Sequence, residues 1–210
     1  MDLNDRTVVV TGGSQGIGAT TAEHFAAAGA RVLVVARNER KLSAVAERVG
    51  GEYLVADLTE ATEVDRLIPT CLERLGRIDV LVNNAGIEDS DAFVHLDRNR
   101  LRAVARLNFE AALLLTRDVL PHMLDRGSGH LVQMSSIAGA MTFPGAVAYS
   151  VGRTAATTRP WTETSRTRSP RVTVAVRTRS NGTLTVALAQ RLTEGATNTM
   201  PAITARATPI

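Results

Sequence analysis

A glycine-rich turn near the start of the chain has the residue types and spacing of a phosphate-binding loop. It follows a β-branched run at residues 7–10 and reads Thr-Gly-Gly-Ser-Gln-Gly-Ile-Gly over residues 11–18. Gly12 permits a tight turn, Gly16 lets the backbone approach a pyrophosphate at a helix N-terminus, and Gly18 permits close helix–strand packing. Because a strand precedes the turn and a helical pattern follows it, an ordinary flexible loop is the weaker interpretation. The predicted cofactor contacts here are Gly12, Ser14, Gln15, Gly16, Ile17 and Gly18.

The end of the second predicted strand decides which dinucleotide this turn accepts. An acidic residue at that point hydrogen-bonds the ribose hydroxyls of NAD(H), but this chain has Ala36 followed by Arg37. Arg37 offers a planar, permanently charged fork that suits a phosphate group. The alternative is a surface arginine without a ligand. We therefore predict that NADP(H) is preferred, with NAD(H) as the second choice.

Alternating short and long patterns predict the elements that position the turn. Strand patterns fall at residues 7–10, 31–35, 53–56, 78–82 and 130–134. Helical patterns fall at residues 17–28, 40–49, 64–75 and 101–124. This rhythm is typical of the α/β class and predicts a doubly wound, Rossmann-like parallel sheet with helices on both faces.

The rhythm breaks after Tyr149, where we expect one more long helix. Pro160 removes a helix hydrogen-bond donor, and residues 162–169 contain no apolar side chain that could form a core-facing stripe. Further on, the patterns predict one strand at residues 171–176 and a short helix at residues 186–192.

This change divides the chain into two predicted parts. Residues 1–155 form a dinucleotide-binding domain, and residues 156–210 form an atypical C-terminal segment that is irregular or incomplete. The charge is divided in the same way. Residues 1–150 carry 15 Lys and Arg against 19 Asp and Glu, whereas residues 151–210 carry 9 Arg against 2 Glu. Since the basic excess lies outside the motif-bearing part, we expect no nucleic-acid partner.

Composition limits the compartment and the class of protein. The chain is 44% hydrophobic and 21% charged, as in an ordinary globular protein. Cys71 is the single cysteine, so no intramolecular disulfide can form. The first residues are acidic rather than signal-like, and no apolar run reaches membrane-spanning length. We expect a cytoplasmic protein without a membrane segment or a bound metal ion.

Three more motifs accompany the glycine-rich turn. Asp57 follows the third predicted strand, Asn83-Asn84-Ala85-Gly86 follows the fourth, and Ser136 and Tyr149 follow the fifth. Together with the Thr-Gly-x-x-x-Gly-x-Gly pattern, they resemble the short-chain dehydrogenase/reductase family, classical type. The resemblance is strong over residues 1–155 and weak at the strand predicted for residues 171–176.

The resemblance implies roles for individual residues. Reduction of a ketone needs a proton donor for the developing alkoxide and a second group that holds the oxygen. In this family a tyrosine and a serine serve these purposes, which implies that Tyr149 is the general acid/base and Ser136 holds the oxygen. Asn108 matches the asparagine of the family's catalytic tetrad. The implied cofactor contacts beyond the glycine-rich turn are Asp57, Leu58, Asn84, Ala85 and Gly86.

The chain departs from the family pattern at several positions. The catalytic lysine is replaced by Arg153, which keeps the positive charge but has a larger fork and hardly ever releases a proton. We therefore expect a slowed proton relay. Gln15 stands where many NADP-dependent relatives have a basic residue. The Pro-Gly turn after the sixth strand is replaced by Thr178-Arg179, and Thr183 is our candidate for the threonine that contacts the carboxamide.

The leading hypothesis is an oxidoreductase that uses NADP(H) to interconvert a ketone and a secondary alcohol. An apolar or acyl small molecule is the expected substrate, because apolar residues lie between the serine and tyrosine motifs: Met141, Phe143, Pro144 and Val147. The alternative is a catalytically impaired dinucleotide-binding protein, the product of a truncated or frame-shifted gene. If the codons are GC-rich, the bases that encode residues 160–167 can be translated in another reading frame into a segment with a more helix-like pattern. The family resemblance also implies a homo-dimer or tetramer.

Overall fold

The structure is a computed structural model that describes residues 3–88, 92–139, 145–157, 171–180, 183–189 and 203–206. Its strands are β1 (Thr7–Thr11), β2 (Arg31–Ala36), β3 (Glu52–Val55), β4 (Val80–Asn83), β5 (Ser128–Gln133), β6 (Arg171–Ser180), β7 (Thr183–Ala189) and β8 (Ile203–Arg206). They form one sheet in the order β3-β2-β1-β4-β5-β6-β7-β8. Strands β1 to β6 are parallel, whereas β7 and β8 pair antiparallel.

Helices follow the parallel strands along the chain. They are α1 (Gly16–Ala27), α2 (Glu39–Val49), α3 (Ala61–Leu75), α4 (Arg98–Ala105), α5 (Ala111–Asp125) and α6 (Val147–Thr157). Short 3-10 turns lie at Phe93–His95 and Ile137–Gly139. Eight of the nine elements predicted within the first 134 residues are present with boundaries shifted by a few residues, and the ninth, the long helix at residues 101–124, is divided.

The core has two layers because successive strand residues face opposite sides of the sheet. On one side Val9 packs with Leu67 of α3 and Leu115 of α5. On the other side Val34 packs with Leu42 of α2 in a second buried cluster. All four residues of the central strand β4 are buried, as expected for a parallel strand covered on both faces. The predicted doubly wound α/β architecture is confirmed.

The long helix predicted at residues 101–124 is not continuous. A π-helical segment, Arg106–Glu110, separates α4 from α5. Such segments are rare and occur frequently at functional sites, because the extra residue in the turn re-aims the side chains around it. Asn108 lies in the middle of this segment and is buried.

The C-terminal predictions had mixed outcomes. The strand predicted at residues 171–176 is present as β6 and extends to Ser180. The helix predicted at residues 186–192 is wrong over residues 186–189, which belong to β7. Alternation of Leu184, Val186 and Leu188 with small residues has the period of a strand, and pairing with β6 stabilises that form. The break predicted at Pro160 lies outside the described residues, and the division after residue 155 stays a prediction.

Candidate active site

The carboxyl ends of β1, β2, β4 and β5 border a cleft of about 870 Å³. It lies where the strand order reverses direction, with β1 and β4 adjacent, which is the usual ligand position in open α/β sheets. Fifteen of the sixteen predicted site residues line this cleft: Gly12, Ser14, Gln15, Gly16, Ile17, Gly18, Arg37, Asp57, Leu58, Asn84, Ala85, Gly86, Ser136, Tyr149 and Arg153. The structure therefore brings together residues from turns that are far apart along the chain.

Close backbone packing explains two glycines of the first turn. Gly12 has a φ of +67°, and a Cβ there would lie 2.8 Å from the Cα of Ala85. A Cβ on Gly18 would overlap the carbonyl oxygen of Gly12. At Gly16, by contrast, no atom of the described residues lies within 4 Å of a Cβ position. The turn is thus tight on its protein side and open on its cleft side, which fits the approach of a pyrophosphate to the N-terminus of α1.

Asn84 ties the turn after β4 to the turn after β1. Its Nδ2 donates to the carbonyl oxygens of Thr11 at 2.9 Å and Gly12 at 3.2 Å. The hydroxyl of Thr11 accepts from the backbone N–H groups of Asn84 and Ala85 at 3.0 and 3.1 Å. Two predicted motifs therefore form one rigid platform. Thr11, the last residue of β1, joins the two motifs and was not among the predicted site residues.

An ion pair joins two predicted cofactor contacts at one end of the cleft. Nη1 of Arg37 lies 3.5 Å from Oδ2 of Asp57. The other carboxylate oxygen of Asp57 accepts from the backbone N–H and the hydroxyl of Thr59. Burial raises the pKa of Asp57, but the hydrogen bonds from Thr59 and the charge of Arg37 outweigh it and leave that pKa below its ordinary value. Asp57 is therefore held ionised beside the arginine.

Lys41 lines the same end of the cleft and was not predicted. Its Nζ donates to Oε1 of Gln15 at 2.8 Å. The side chain of Asn38 caps α2 by accepting from the backbone N–H of Lys41 at 3.0 Å. A usable signal was the position of Lys41 four residues after Arg37, at the start of a helix whose first turn faces the cleft.

The serine and tyrosine motifs meet at the other end of the cleft. Ser136 follows β5, and its Oγ accepts from the backbone N–H of Ala138 at 3.2 Å. That bond leaves the hydroxyl proton of Ser136 available for another acceptor. Tyr149 lies on α6 and is half-buried. The arrangement places a hydroxyl donor and a phenol on the border of one cleft.

Arg153 is buried one helical turn after Tyr149. The central carbon of its guanidinium lies 5.2 Å from the centroid of the Tyr149 ring, within the range of a cation–π interaction. Its Nη1 donates to the carbonyl oxygen of Met134 at 2.8 Å. A Cβ on Gly86 would overlap Nη2 of Arg153. The guanidinium is thus wedged between the turns that follow β4 and β5.

Asn108 is the one predicted site residue that does not line the cleft. Its Oδ1 accepts from the backbone N–H of Ile87 and its Nδ2 donates to the carbonyl oxygen of Ile87, both at 2.9 Å. The π-helical segment aims this side chain at the backbone that follows Gly86. Asn108 therefore anchors the backbone of the turn after β4 through these two hydrogen bonds.

The remaining candidates lie elsewhere. Met141, Phe143 and Pro144 are outside the described residues, and Val147 is exposed at the start of α6. Thr183 is the first residue of β7 and pairs with Ser180.

Burial raises the pKa of Cys71 to about 12, so this thiol stays protonated. Within the described ranges there is no group of three metal-ligating side chains and no helix long and apolar enough to cross a membrane.

A second polar cluster lies at the opposite edge of the sheet, before β4. The carboxylate of Asp79 is almost fully buried and pairs with Arg6 at 3.5 Å, Arg126 at 3.4 Å and Arg77. It also accepts from the backbone N–H of Thr7 at 2.9 Å. Burial raises the pKa of Asp79, but these hydrogen bonds and charges outweigh it and leave that pKa below its ordinary value. We call these residues the amino-edge cluster.

Comparison with known proteins places the chain beside oxidoreductases. The family model described as short chain dehydrogenase matches residues 6–196. An uncharacterised oxidoreductase of Staphylococcus saprophyticus is 35% identical over 161 residues, which is 74% of this chain and 69% of that protein. A 3-oxoacyl-[acyl-carrier-protein] reductase of Synechocystis is 38% identical over 157 residues, covering 72% of this chain and 64% of that one. The chain thus spans about two thirds of the length of these relatives.

The solved structures include a metagenomic short-chain oxidoreductase in complex with NADP. It is 30% identical, with a TM-score of 0.75, and the match covers 86% of this chain and 85% of that chain.

Proposed function

The chain belongs to the short-chain dehydrogenase family, and we propose that it is an NADP(H)-dependent oxidoreductase that interconverts a ketone and a secondary alcohol. The observation that carries the proposal is the shared cleft, in which the glycine-rich turn, Arg37, Ser136 and Tyr149 lie together. When bound, NADP(H) supplies or accepts the hydride. The solved NADP complex of a relative supports this choice of cofactor.

The residues that would hold the cofactor divide the cleft into two ends. The N–H groups that begin α1 suit the pyrophosphate, since a helix N-terminus favours negative charge. Asp57 and Leu58 would contact the adenine, and Arg37 would bind the 2′-phosphate as a charged fork. The turn from Asn84 to Gly86 would border the nicotinamide half. The open space beside Gly16 and the tight packing behind Gly18 fit this assignment.

The chemical step is assigned to two side chains. Tyr149 would protonate the developing alkoxide in reduction and take the proton back in oxidation. Ser136 would donate its hydroxyl proton to the same oxygen, because its own Oγ already accepts from Ala138. Asn108 would act as a positioning residue through its two bonds to Ile87.

Arg153 would serve in place of the family's lysine. Its permanent charge lies over the Tyr149 ring in a cation–π contact at 5.2 Å from the centroid. Its bond to Met134 fixes the guanidinium, and a guanidinium hardly ever gives up a proton. We therefore propose electrostatic support without a proton relay through this residue.

The substrate is proposed to be an apolar or acyl ketone. The cleft that Tyr149 borders is also lined by apolar residues: Ile87, Leu107, Met134, Ala138 and Ala146. The similarity to a 3-oxoacyl-[acyl-carrier-protein] reductase supports an acyl chain.

The second candidate is a dinucleotide-binding protein with impaired turnover. The observation in its favour is the wedged guanidinium of Arg153, which occupies the space between Gly86 and Met134. A lysine at that position would be slimmer and could exchange protons.

The test combines binding and turnover in one sample. NADPH binding is measured by fluorescence titration for the wild type and for Arg153→Lys, and a panel of small and acyl ketones is then added. We expect both proteins to bind NADPH and the variant to turn over faster. Binding without turnover in either protein would favour the second candidate, and absence of NADPH binding in both would overturn the proposal.

We also propose a homo-dimer or tetramer and a cytoplasmic location. Exposed apolar side chains support self-association: Phe109, Leu113, Val147 and Val151 are solvent-accessible on α6 or near the start of α5. Sedimentation of the purified chain tests the assembly. The location rests on the sequence alone.

A further inference from the structure

Gln15 is neutral where many NADP-dependent relatives have a basic residue. The ammonium group of Lys41 supplies a positive charge at the same place in the folded chain. Gln15 is the last residue before α1, and Lys41 lies in the first turn of α2, yet Nζ of Lys41 is 2.8 Å from Oε1 of Gln15. Both side chains border the cleft, together with Arg37 and Asn38. The two helices therefore bring a neutral amide and an ammonium group to one place.

The position of Lys41 is electrostatically costly in the absence of an anion. A helix N-terminus carries partial positive charge, so a cation in the first turn is disfavoured. Arg37 and Lys41, which both border the cleft, lie at the start of α2. Glu39 is the acidic residue of that turn, and its carboxylate accepts from the hydroxyl of Tyr53 at 3.4 Å. A dianion at this point would offset the repulsion among these groups.

Arg37 is partly engaged elsewhere. Its guanidinium pairs with Asp57, a predicted adenine contact, at 3.5 Å. The pairing draws Arg37 towards the adenine side of the cleft, whereas the ammonium of Lys41 has a neutral partner in Gln15. A neutral amide does not itself compensate the charge of Lys41, and the three N–H donors of the ammonium group allow further acceptors.

We propose that Lys41 is a specificity-determining residue that binds the 2′-phosphate of NADP(H) and that Gln15 holds its ammonium group in place. This inference rests on the proposed function, because it assumes that the cleft accepts an NADP-type cofactor. Arg37 supplies the second cation on the adenine side. Selectivity for NADP(H) over NAD(H) then depends on Lys41, which lies outside the glycine-rich turn, as well as on Arg37 at the end of β2.

The test compares ligands that differ by one phosphate. Dissociation constants are measured for NADPH and NADH by cofactor fluorescence, and for adenosine 2′,5′-bisphosphate and 5′-AMP by calorimetry. The proteins are the wild type, Lys41→Gln, Lys41→Arg and Arg40→Gln. Arg40→Gln is the matched control, because Arg40 is an exposed neighbour on the same helix that does not border the cleft.

The expected result is selective. Lys41→Gln weakens NADPH and the bisphosphate by about tenfold, the size expected for one hydrogen bond to a charged group. Binding of NADH and 5′-AMP stays unchanged, Lys41→Arg retains most of the NADPH affinity, and Arg40→Gln behaves as wild type. Thermal melting of each variant verifies that it is folded.

The two proposals fail in different ways. If the wild type prefers NADPH but Lys41→Gln binds it as tightly as Arg40→Gln does, the role of Lys41 is overturned and the proposed function stands. If the wild type binds NADH as well as NADPH, the cofactor preference itself is wrong and the assignment of Lys41 fails with it. Equal weakening of NADPH and NADH in Lys41→Gln would also overturn the assignment, since a general charge effect would explain it.

Discussion

The two edges of the parallel sheet use their polar groups in opposite ways. At the amino-edge cluster, the carboxylate of Asp79 is surrounded by three arginines and a backbone N–H. At the carboxyl edge, Ser136, Lys41 and the first turn of α1 border an open cleft. Both edges join elements from distant parts of the chain, but among the described residues the large cleft lies at the second.

The difference follows from the direction of the strands and helices. Each helix that follows a parallel strand begins at the carboxyl edge, so the positive helix ends and their N–H groups gather there. The amino edge receives the helix C-termini, which carry partial negative charge. Its charges pair with one another, and their contribution is stability. Variants at each edge should therefore separate function from stability.

The largest expected effect is on turnover at the carboxyl edge. Tyr149→Phe removes the proposed proton donor and should lower kcat by about 100- to 10,000-fold. NADPH affinity and thermal stability should stay at wild-type values, because the ring and its contact with Arg153 remain. Steady-state kinetics and fluorescence titration measure the two quantities. A variant with undiminished kcat would remove Tyr149 from the chemistry.

A side chain at Gly18 should damage the same edge through packing. In Gly18→Ala the Cβ would overlap the carbonyl oxygen of Gly12 and lie 2.6 Å from Nδ2 of Asn84. We expect a loss of about 1–3 kcal/mol in unfolding free energy and at least a tenfold weakening of NADPH binding, or about 1.4 kcal/mol.

Gly76→Ala is the matched control for Gly18→Ala. Gly76 ends α3 with a φ of +72°, and in the part of the chain that the structure describes no atom lies within 4 Å of a Cβ position there. The left-handed backbone should cost about 1 kcal/mol in stability, while NADPH binding stays unchanged. Equal NADPH affinities for the two variants would contradict the steric role of Gly18.

At the amino-edge cluster, Asp79→Asn should lower the unfolding free energy and leave NADPH affinity unchanged. The amide still accepts from Thr7 but no longer neutralises the arginines, so we expect a loss of about 2 kcal/mol in unfolding free energy. Urea denaturation and NADPH titration measure the two quantities. Asp118→Asn is the control, because its partner Arg117 is 81% exposed, and such surface pairs contribute about 0.5 kcal/mol or less.

The amino-edge cluster predicts an acid limb in the pH profile of the wild type, in which the unfolding free energy falls at low pH. The pKa of Asp79 is lower in the folded chain than in the unfolded chain, so its stabilisation is complete above the ordinary aspartate pKa. It is lost as the pH falls below about 4 and through the lowered value. Asp79→Asn should flatten this limb when unfolding is followed between neutral and acidic pH. An unchanged limb would assign acid unfolding to other carboxylates.

The smallest expected effect tests the capping residue of α2. Asn38→Ala removes the acceptor for the backbone N–H of Lys41 and should cost about 1 kcal/mol in stability. NADPH affinity should fall modestly, since the first turn carries Lys41. Asn38→Ser keeps a capping oxygen and should restore both quantities. If alanine and serine behave alike in thermal melts, the cap contributes nothing measurable.

Short local patterns made much of this fold predictable. The β-branched runs and the helical periodicity located the elements up to β5, because burial on both faces of the sheet requires those residues. The pattern failed at residues 186–189, where pairing with β6 favours a strand. It also could not show the π-helical segment around Asn108, since its residues fit the surrounding helical periodicity.

The sequence by itself determined the family, the sheet and the turns that border the cleft, because strand ends and glycine positions are encoded in short segments. Only the tertiary structure decided which side chains meet across those turns. Lys41 and Gln15 are 26 residues apart, and Asn84 and Thr11 are 73 apart. Their contacts depend on the order of the strands and the docking of the helices, which no local pattern contains. For the same reason Arg153, a departure from the family in sequence, became a buried cation against Tyr149 only in the folded chain.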